Sequence, residues 1–225
     1  MEEQLFIAEG IKIVEEILAS IPELVVWVVV TDKALPFLHS KLDTSNYLLA
    51  KTDEMERISC LNTPSVALAV VRIPNQKKIA DKEKTLLLDG IQDPGNLGTI
   101  IRTADWFGIN QIVCSENCAE WWNPKTIQAS MGSFLRINGL YTELTNFLSD
   151  IKTPISGTLL KGIPSYQSDW KKAQHIIMGS EGKGISEEVK PFISQAVTIS
   201  GLGSAESLNV GVATGIMLYE WTKDI

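Results

Sequence analysis

Three glycine-bearing segments in the second half of the chain carry the side chains with the greatest capacity for chemistry. They are DPGNLGTIIRTA at residues 93–104, MGSEGKGIS at residues 178–186 and SGLGSAESLN at residues 200–209. Glycine permits positive φ angles and lets a backbone approach a ligand closely. Each segment follows a strand-like run, and loops at the carboxyl ends of strands form the ligand crevice of an open α/β sheet. The three segments therefore predict one shared pocket.

The spacing of the glycines excludes the common nucleotide-binding and hydrolase motifs. A P-loop needs G-x4-G-K-[ST], but the GKG at residues 182–184 lacks the hydroxyl residue. A dinucleotide fingerprint would need a third glycine where the chain has Glu187, and no G-x-S-x-G occurs. Backbone amides and carbonyls are therefore expected to hold the ligand. An adenosine-type ligand is compatible, with apolar contacts from Ile199, Leu202 and Leu208.

The segments are connected to strands and helices that alternate along the chain. This alternation predicts a mostly parallel sheet covered on both faces. The last helix is apolar on nearly all sides, so it is expected to be buried in the core or against a second subunit. The predicted strands are 85–89, 111–114, 155–160, 175–178 and 196–200, and the predicted helices are 96–107, 124–130 and about 207–223.

A different pattern precedes this α/β part. Residues 5–18 place apolar side chains on one face and predict an amphipathic helix, and strand-like runs follow at 25–30 and 66–71. Residues 73–84 are polar, lack apolar periodicity and predict a linker. We therefore expect two α/β domains. Their boundaries are 1–72 for the first domain, 73–84 for the linker and 85–225 for the second domain.

The composition is that of a soluble globular protein. Hydrophobic residues make up 44% of the 225 residues and charged residues 21%, which is a usual balance. The longest apolar run, LVVWVVV at residues 24–30, is too short to cross a bilayer. The initial MEE lacks the basic region of a signal peptide. We therefore expect a cytoplasmic protein that makes no membrane contact.

The charge and the cysteines narrow the classes of ligand. With 20 basic and 27 acidic residues the net charge is −7, which argues against non-specific binding of polyanions. A local basic patch at Lys77, Lys78, Lys82 and Lys84 stays open, and so does a solvated linker. The 3 cysteines and 2 histidines supply neither a disulfide framework nor the roughly four ligands of a zinc site. We expect buried, reduced thiols and no metal.

Taken together, the three segments resemble the ordered motifs of the SpoU/TrmH family of RNA ribose 2′-O-methyltransferases, part of the SPOUT superfamily. DPGNLGTIIRTA, MGSEGKGIS and ESLNVGVA (residues 206–213) occur in the family order and at family-like spacing across residues 85–224. The N-terminal FIAEG (residues 6–10) resembles the small substrate-binding domain that precedes the catalytic domain in many members. Because that domain normally starts earlier, its first helix is expected to be short or missing.

The resemblance implies a fold, a cofactor and partners. Family members fold as an α/β knot, a trefoil-knotted parallel sheet in which the last helix threads through a loop. They use S-adenosylmethionine as methyl donor, act on rRNA or tRNA and work as homodimers. The nearly all-apolar last helix fits both a knotted core and a dimer interface.

The resemblance also assigns site residues. The backbone of Gly179, Ile199 and Leu208 would hold the cofactor, and Leu202 would add an apolar contact. The positions implicated in catalysis are Asn96, Arg102, Glu181, Ser207 and Asn209.

Arg102 is the family's candidate for activating the ribose hydroxyl. Because the pKa of a guanidinium lies above about 12, holding a neighbouring RNA phosphate and stabilising charge on O2′ is easier than a general-base role. Glu181 would offset the sulfonium charge or order its loop.

Alternative roles stay open at this point. Arg102 and Glu181 are also compatible with an exposed helix residue and a surface loop acid. Asn96 could be only a helix N-cap, and Ser207 and Asn209 could cap the last helix.

Two neighbouring features are ambiguous as well. Asp93 before proline is typical of a turn. The pair at residues 121–122, Trp-Trp, could stack on a base or pack in the core or a dimer.

The chain also departs from the family pattern. Many members have I-P-M before the glycine of the third loop, where this chain has ISG at residues 199–201. Many have V-S-V-A where this chain has VGVA at residues 210–213. The first departure and the acidic charge keep a non-catalytic RNA-binding relative as the main rival hypothesis. A nucleotide-binding enzyme of another α/β type is a second rival.

Overall fold

Two β-sheets organise the chain in a computed structural model that describes residues 4–42, 46–80 and 83–223. The four-stranded sheet and its helices, hereafter the four-stranded unit, come from the first 72 residues. Its elements are β1 (Leu5–Glu9), α1 (Ile11–Ser20), β2 (Val25–Val30), α2 (Leu35–Leu38), β3 (Tyr47–Leu49), α3 (Thr52–Ile58) and β4 (Ala67–Arg72). The strand order is β1-β4-β2-β3, with β1 and β2 antiparallel to β4 and β3 parallel to β2.

The predicted helix at residues 5–18 is wrong in its first half. Leu5–Glu9 is a strand paired along its whole length with β4, and the helix begins at Ile11. Gly10 separates the two elements with φ 112°, a conformation that glycine adopts without strain. The apolar residues of this stretch fit a period of 2 as well as one of 3.6, so pairing with β4 decided the outcome.

The second sheet has six strands and, with its helices, forms the six-stranded unit. Its strand order is β10-β8-β9-β5-β6-β7, and every neighbouring pair is parallel, as predicted. The pattern did not predict β7 or α6. The elements are β5 (Thr85–Asp89), α4 (Pro94–Trp106), β6 (Gln111–Ser115), α5 (Pro124–Ser130), β7 (Asn138–Thr142), α6 (Leu144–Ser149), β8 (Ile155–Pro164), β9 (His175–Gly179), β10 (Gln195–Thr198) and α7 (Val210–Thr222).

The strands in the middle of this sheet are buried on both faces. All residues of β5 and β6 are buried, which is why the sequences of these strands are near-continuous apolar runs. On one side of α7, Met217, Leu218 and Trp221 are buried in the core. On another side, Val212 and Tyr219 are more than half exposed. The last helix is therefore buried on one side only in the single chain.

Residues 73–80 contain no helix or strand, but they are fastened to the six-stranded sheet. The side chain of Gln111 donates to the carbonyl of Ala80 at 2.9 Å and accepts from its amide at 2.9 Å. Asn138 Nδ2 donates to the carbonyl of Lys78 at 3.1 Å. In the predicted basic cluster, Lys77 and Lys78 are exposed and Lys82 lies outside the described residues. Lys84 donates instead to the carbonyl of Trp221 at 2.7 Å.

The two sheets meet at an aromatic cluster formed by Phe6, Trp122 and Phe134. Phe6 of β1 stacks on Trp122 with ring centroids 4.7 Å apart. Phe134 meets Phe6 edge-on at 5.8 Å and Trp122 at 6.0 Å. Trp121 is buried as well. The tandem tryptophans therefore pack within the chain, one in the core and one between the two sheets.

The cysteines follow the prediction in part. Cys114 and Cys118 are buried free thiols, whereas Cys60 is exposed, contrary to expectation. Cys60 follows α3 at the surface, where its amide donates to Glu9 at 2.7 Å. In the part of the chain that the structure describes, no cluster of histidine, cysteine or carboxylate side chains could hold a metal ion. Among the same residues, no helix has the length and apolarity to span a bilayer.

Candidate functional site

The three predicted loops converge on one set of hydrogen bonds, the amide–carboxylate network of Asn96, Glu181 and Asn209. Glu181 Oε1 accepts from Asn96 Nδ2 at 3.1 Å, from Asn209 Nδ2 at 2.6 Å and from the Val210 amide at 3.1 Å. Asn209 Nδ2 also donates to Asn96 Oδ1 at 2.9 Å. One side chain from each segment thus takes part, as the prediction of a shared pocket requires.

Asn96 is held in place by the first turn of α4. Asp93 caps this helix, since its Oδ1 accepts from the Asn96 amide at 2.8 Å, and Pro94 takes the first helical position. The second carboxylate oxygen pairs with Lys125 Nζ at 2.9 Å. The hydrogen bond from Lys125, followed by that from the Asn96 amide, lowers the pKa of Asp93 below its usual value.

The capping alternative for Asn96 is therefore wrong, and so is the interpretation of Asp93 as turn chemistry alone. The signal was present in the sequence, because Asp followed by Pro is the usual N-cap and first-turn pair. Asn96 is left with its side chain free for the network.

Glu181 stands in a closed turn at the end of β9. Ser180 and Gly184 pair across this turn through both backbone hydrogen bonds, at 3.1 and 2.9 Å. Gly184 has φ +67°, and a Cβ at Gly179 would lie 2.2 Å from backbone atoms of Gly184 and Ile185. The turn therefore requires glycine at both positions and presents Glu181 to the other two loops.

Asn209 has two functions at once. Its Oδ1 caps α7 by accepting from the amides of Gly211 at 3.0 Å and Val212 at 3.3 Å. Because these two amides are donors, the oxygen of Asn209 must face the helix and its Nδ2 must face the network. Both predicted roles, helix cap and site residue, are thus compatible in one side chain.

Arg102 and Ser207 stand apart from this network. Arg102 is exposed on α4, about 9 Å along the helix axis from Asn96 at 1.5 Å per residue. Ser207 is exposed in the stretch 199–209, which contains no helix or strand. Neither side chain has a hydrogen bond to the network among the described residues. The structure therefore joins three of the five predicted catalytic residues.

The predicted cofactor-binding residues lie at the carboxyl end of β9 or in the stretch that follows β10. Gly179 ends β9, and Ile199 follows β10 half-buried against the core. Leu208 directly precedes Asn209 and is 45% exposed, whereas the side chain of Leu202 is fully exposed. Backbone at a strand end, uncovered apolar side chains and the nearby Glu181 carboxylate suit an adenosine moiety and a sulfonium cation. These residues fit S-adenosylmethionine.

A cleft of about 620 Å³ opens beside the network, at the carboxyl ends of β5 and β9. Asn96 and Glu181 form part of its wall, together with Asp89 and Asn117. Sequence reasoning missed Asp89 and Asn117. Asp89 is a buried carboxylate, held by the Ser186 amide at 2.7 Å. A carboxylate closing an apolar strand is the one signal that could have indicated Asp89.

These features define a class of protein. The α/β architecture with a parallel six-stranded sheet is that of the SPOUT methyltransferases. The chain belongs to the SpoU rRNA Methylase family, whose profile it matches over residues 83–219.

Known relatives agree with this assignment. The chain is 34% identical to the 23S rRNA (guanosine(2553)-2′-O)-methyltransferase RlmP of Bacillus subtilis, over 95% of this chain and 87% of the relative. It is similar to the crystal structure of an AdoMet-bound rRNA methyltransferase from Sinorhizobium meliloti, with a TM-score of 0.85 and 26% identity. That match covers 100% of this chain and 89% of the other.

A TrmH-family protein from Porphyromonas gingivalis has a TM-score of 0.87 and 35% identity, covering 100% of this chain and 92% of its own. The predicted family, SPOUT-type α/β fold, enzyme class and cofactor are confirmed.

Proposed function

We propose that this protein methylates the ribose 2′-hydroxyl of a guanosine in 23S rRNA, with the amide–carboxylate network and Arg102 as its catalytic apparatus. Transfer of a methyl group from S-adenosylmethionine to an RNA ribose is the reaction of its family. The choice of a guanosine in 23S rRNA as the target rests on the RlmP relative, which matches almost the whole chain. The observation that carries the proposal is the network that ties all three motifs together.

The hydrogen-bond capacities of the two asparagines divide their roles. Asn209 donates both Nδ2 hydrogens inside the network, and its Oδ1 accepts two hydrogen bonds at the α7 cap. It therefore positions the other groups. Asn96 uses one Nδ2 hydrogen on Glu181 and keeps the second, so it is the network amide able to bind the ribose.

Glu181 supplies negative charge to the site. Its Oε1 already accepts three N–H bonds, one of them from the first residue of α7, where the helix dipole favours an anion. When bound, S-adenosylmethionine supplies a methyl group on a positively charged sulfur. A carboxylate fixed at the loop junction stabilises a cation beside it without having to reorganise.

Arg102 acts on the RNA. Its exposed guanidinium can bind the phosphate next to the target ribose in a bidentate manner and stabilise negative charge as O2′ loses its proton. Ser207 lies one residue from Leu208 and two from Asn209, so it would contact the reactants from the same loop. Gly179, Ile199, Leu202 and Leu208 would hold the adenosine moiety.

A homodimer belongs to this proposal. Val212 and Tyr219 form an exposed apolar side of α7, and Trp106 at the end of α4 is 84% exposed. Such a surface favours a second copy of the chain, in line with what the family resemblance implies. The four-stranded unit would recruit the RNA, with domain boundaries at 1–72, 73–84 and 85–225.

The decisive test combines cofactor binding with methyl transfer. We expect S-adenosylmethionine to bind with micromolar affinity, about −8 kcal/mol, in calorimetric titration. Labelled methyl transfer to in vitro transcribed Bacillus subtilis 23S rRNA should fall at least about 100-fold in Arg102→Ala, because transition-state charge loses its donor. Folding and cofactor affinity should be unchanged.

Lys152→Ala, which removes an exposed cation just before the amino end of β8 and away from both the site and the four-stranded unit, is the control and should retain full turnover. Retained turnover in Arg102→Ala would remove Arg102 from the mechanism. Failure of the folded protein to bind the cofactor would favour the non-catalytic relative, with Ser200-Gly201 as the first residues to examine.

A further inference from the structure

Arg136 links the two units of the chain at a point that the methylation chemistry does not use. Its guanidinium pairs with the Glu16 carboxylate on α1 of the four-stranded unit. It also pairs with Asp105 Oδ2 on α4 of the six-stranded unit, at 2.7 Å from Nη2 and 2.9 Å from Nε. Ser133 Oγ donates to the same Asp105 oxygen at 2.7 Å. We call Glu16, Arg136, Asp105 and Ser133 the clamp.

The clamp connects to the site through a single helix. Asp105 lies on α4, which also carries Asn96 near its start and Arg102 one turn before Asp105. A helix of this length is rigid, so the position of α1 relative to Asp105 is also its position relative to the catalytic side chains. The clamp therefore fixes the position of the four-stranded unit relative to α4, the helix that presents the catalytic residues.

Two further attachments lie at other points of the junction. The aromatic cluster of Phe6, Trp122 and Phe134 joins β1 to the six-stranded unit. The stretch 73–80 is fastened along its length to Gln111 and Asn138. Attachments at separate points resist rotation of one unit against the other, whereas a single flexible connection would permit it.

The attachments differ in what they specify. Apolar burial in the aromatic cluster is largely non-directional, and ring pairing adds only about 0.5–1.5 kcal/mol, so the cluster holds the units together while it tolerates small changes of angle. A guanidinium presents its donors in a rigid planar fork and accepts a carboxylate in few orientations. Exposed ion pairs add little to stability but fix register and orientation well.

We propose that Arg136 is a positioning residue, which sets the angle at which RNA held by the four-stranded unit meets the amide–carboxylate network. This rests on the proposed function, in that the four-stranded unit recruits RNA. Arg136 touches no reacting atom in this scheme. Its contribution is to the encounter of RNA with the site, so its loss acts on the KM for RNA more than on kcat.

Adjacent residues of α1 provide a matched pair of variants. Glu16 reaches across the junction to Arg136, whereas Glu15 pairs with Lys41 at 2.7 Å inside the four-stranded unit. Glu16→Ala should raise the KM for the 23S rRNA transcript roughly three- to tenfold, because a smaller fraction of the protein then holds its two units at the angle that binds RNA productively. Its kcat and its affinity for S-adenosylmethionine should stay within about twofold of wild type. Glu15→Ala should match wild type.

Arg136→Lys separates the effect of the charge from that of the guanidinium geometry. It also keeps the inference testable if Glu16→Ala fails to fold. Lysine keeps the charge but lacks the fork, so we expect a rise in KM with an unchanged melting temperature. Equal KM values in Glu16→Ala, Glu15→Ala and Arg136→Lys would overturn the inference.

Filter binding of the transcript, measured beside turnover, separates this result from a failure of the proposed function. Wild-type protein that binds the transcript without methylating it would refute the proposed function alone. The clamp would then be judged by transcript affinity, which Glu16→Ala should weaken and Glu15→Ala should not.

Discussion

The two sheets of this chain differ in how deeply their strands are buried and in how their strands are paired. In the six-stranded sheet, β5 and β6 are buried at every residue and all neighbouring strands are parallel. In the four-stranded sheet, only Val28 and Val30 of β2 are buried, and Trp27 is 43% exposed. The first sheet is a fixed platform for loops at its carboxyl edge. The second leaves part of one face exposed.

The polar groups of the two regions also differ in what they stabilise. In the network, short asparagine side chains and backbone amides hold Glu181, so little rotamer entropy is lost. In the clamp, a long arginine spans two partly exposed carboxylates, an arrangement worth about 0–1 kcal/mol per pair. Most of the stability of the junction is therefore expected from apolar contacts, the aromatic cluster among them, and the polar groups of the clamp contribute orientation.

Removal of one aromatic ring gives the largest expected effect and tests this division directly. Trp122 stacks on Phe6 and meets Phe134, so Trp122→Ala should cost about 3–4 kcal/mol of unfolding free energy. For a chain of this size that lowers the melting temperature by roughly 6–16 °C. Scanning calorimetry should show the four-stranded unit unfolding before the other.

The control is Phe37→Ala, since the Phe37 ring is 65% exposed, outside the cluster and outside the proposed dimer surface. Its melting temperature should stay within about 2 °C of wild type. A single unshifted transition in Trp122→Ala would mean that the clamp and the fastened stretch hold the units together without the aromatic ring.

The same contrast explains what the sequence made predictable. Buried parallel strands are continuous apolar runs bounded by turns, so β5, β6 and β9 were placed within one residue of their ends. The N-terminal stretch was misassigned because LFIAE fits two periods and only its pairing with β4 selects the strand. β7, with the sequence NGLYT, is half-buried throughout and has too little apolar pattern to be recognised.

For the site, motif resemblance located residues but not their connections. Nothing in the spacing shows that Asn209 both caps α7 and bonds to Asn96, which is 113 positions away. The clamp could not be predicted from the sequence for the same reason, because Glu16 and Arg136 lie 120 positions apart. Contacts between distant segments depend on packing, which no local pattern records.

The six-stranded unit contains a buried histidine, His175, which makes the free energy of unfolding depend on pH. His175 is 5% exposed, and its Nδ1 has no hydrogen-bond partner among the described residues. Burial lowers the pKa of His175 from 6.5 to about 4. Between these values the unfolded chain binds the proton and the folded chain does not, so the free energy of unfolding falls as the pH falls.

The expected loss is about 2–3 kcal/mol on going from pH 7.5 to pH 4.5, with no further contribution from His175 below about pH 4. Urea unfolding at the two pH values measures it. His175→Gln should reduce the difference between them by that amount, whatever its own stability at pH 7.5. An identical pH dependence in wild type and variant would show that His175 takes up its proton in the folded state.

The smallest expected change in stability tests the two functions of Asn209. Asn209→Ala removes the cap of α7 and should cost about 1 kcal/mol in urea unfolding. Asn209→Ser keeps a capping oxygen, so it should recover most of that stability. Serine lacks the Nδ2 donors to Asn96 and Glu181, so methyl transfer should stay roughly 10- to 100-fold below wild type.

Asn123→Ser provides the matched control, because Asn123 caps α5 in the same way by accepting from the Lys125 amide, outside the network. It should alter neither stability nor turnover by much. Full turnover in Asn209→Ser would reduce Asn209 to a helix cap and leave Asn96 and Glu181 as the functional pair. Reduced turnover at restored stability would mean that the donors of Asn209 hold the site in its active geometry, which is the property that distinguishes the network from the clamp.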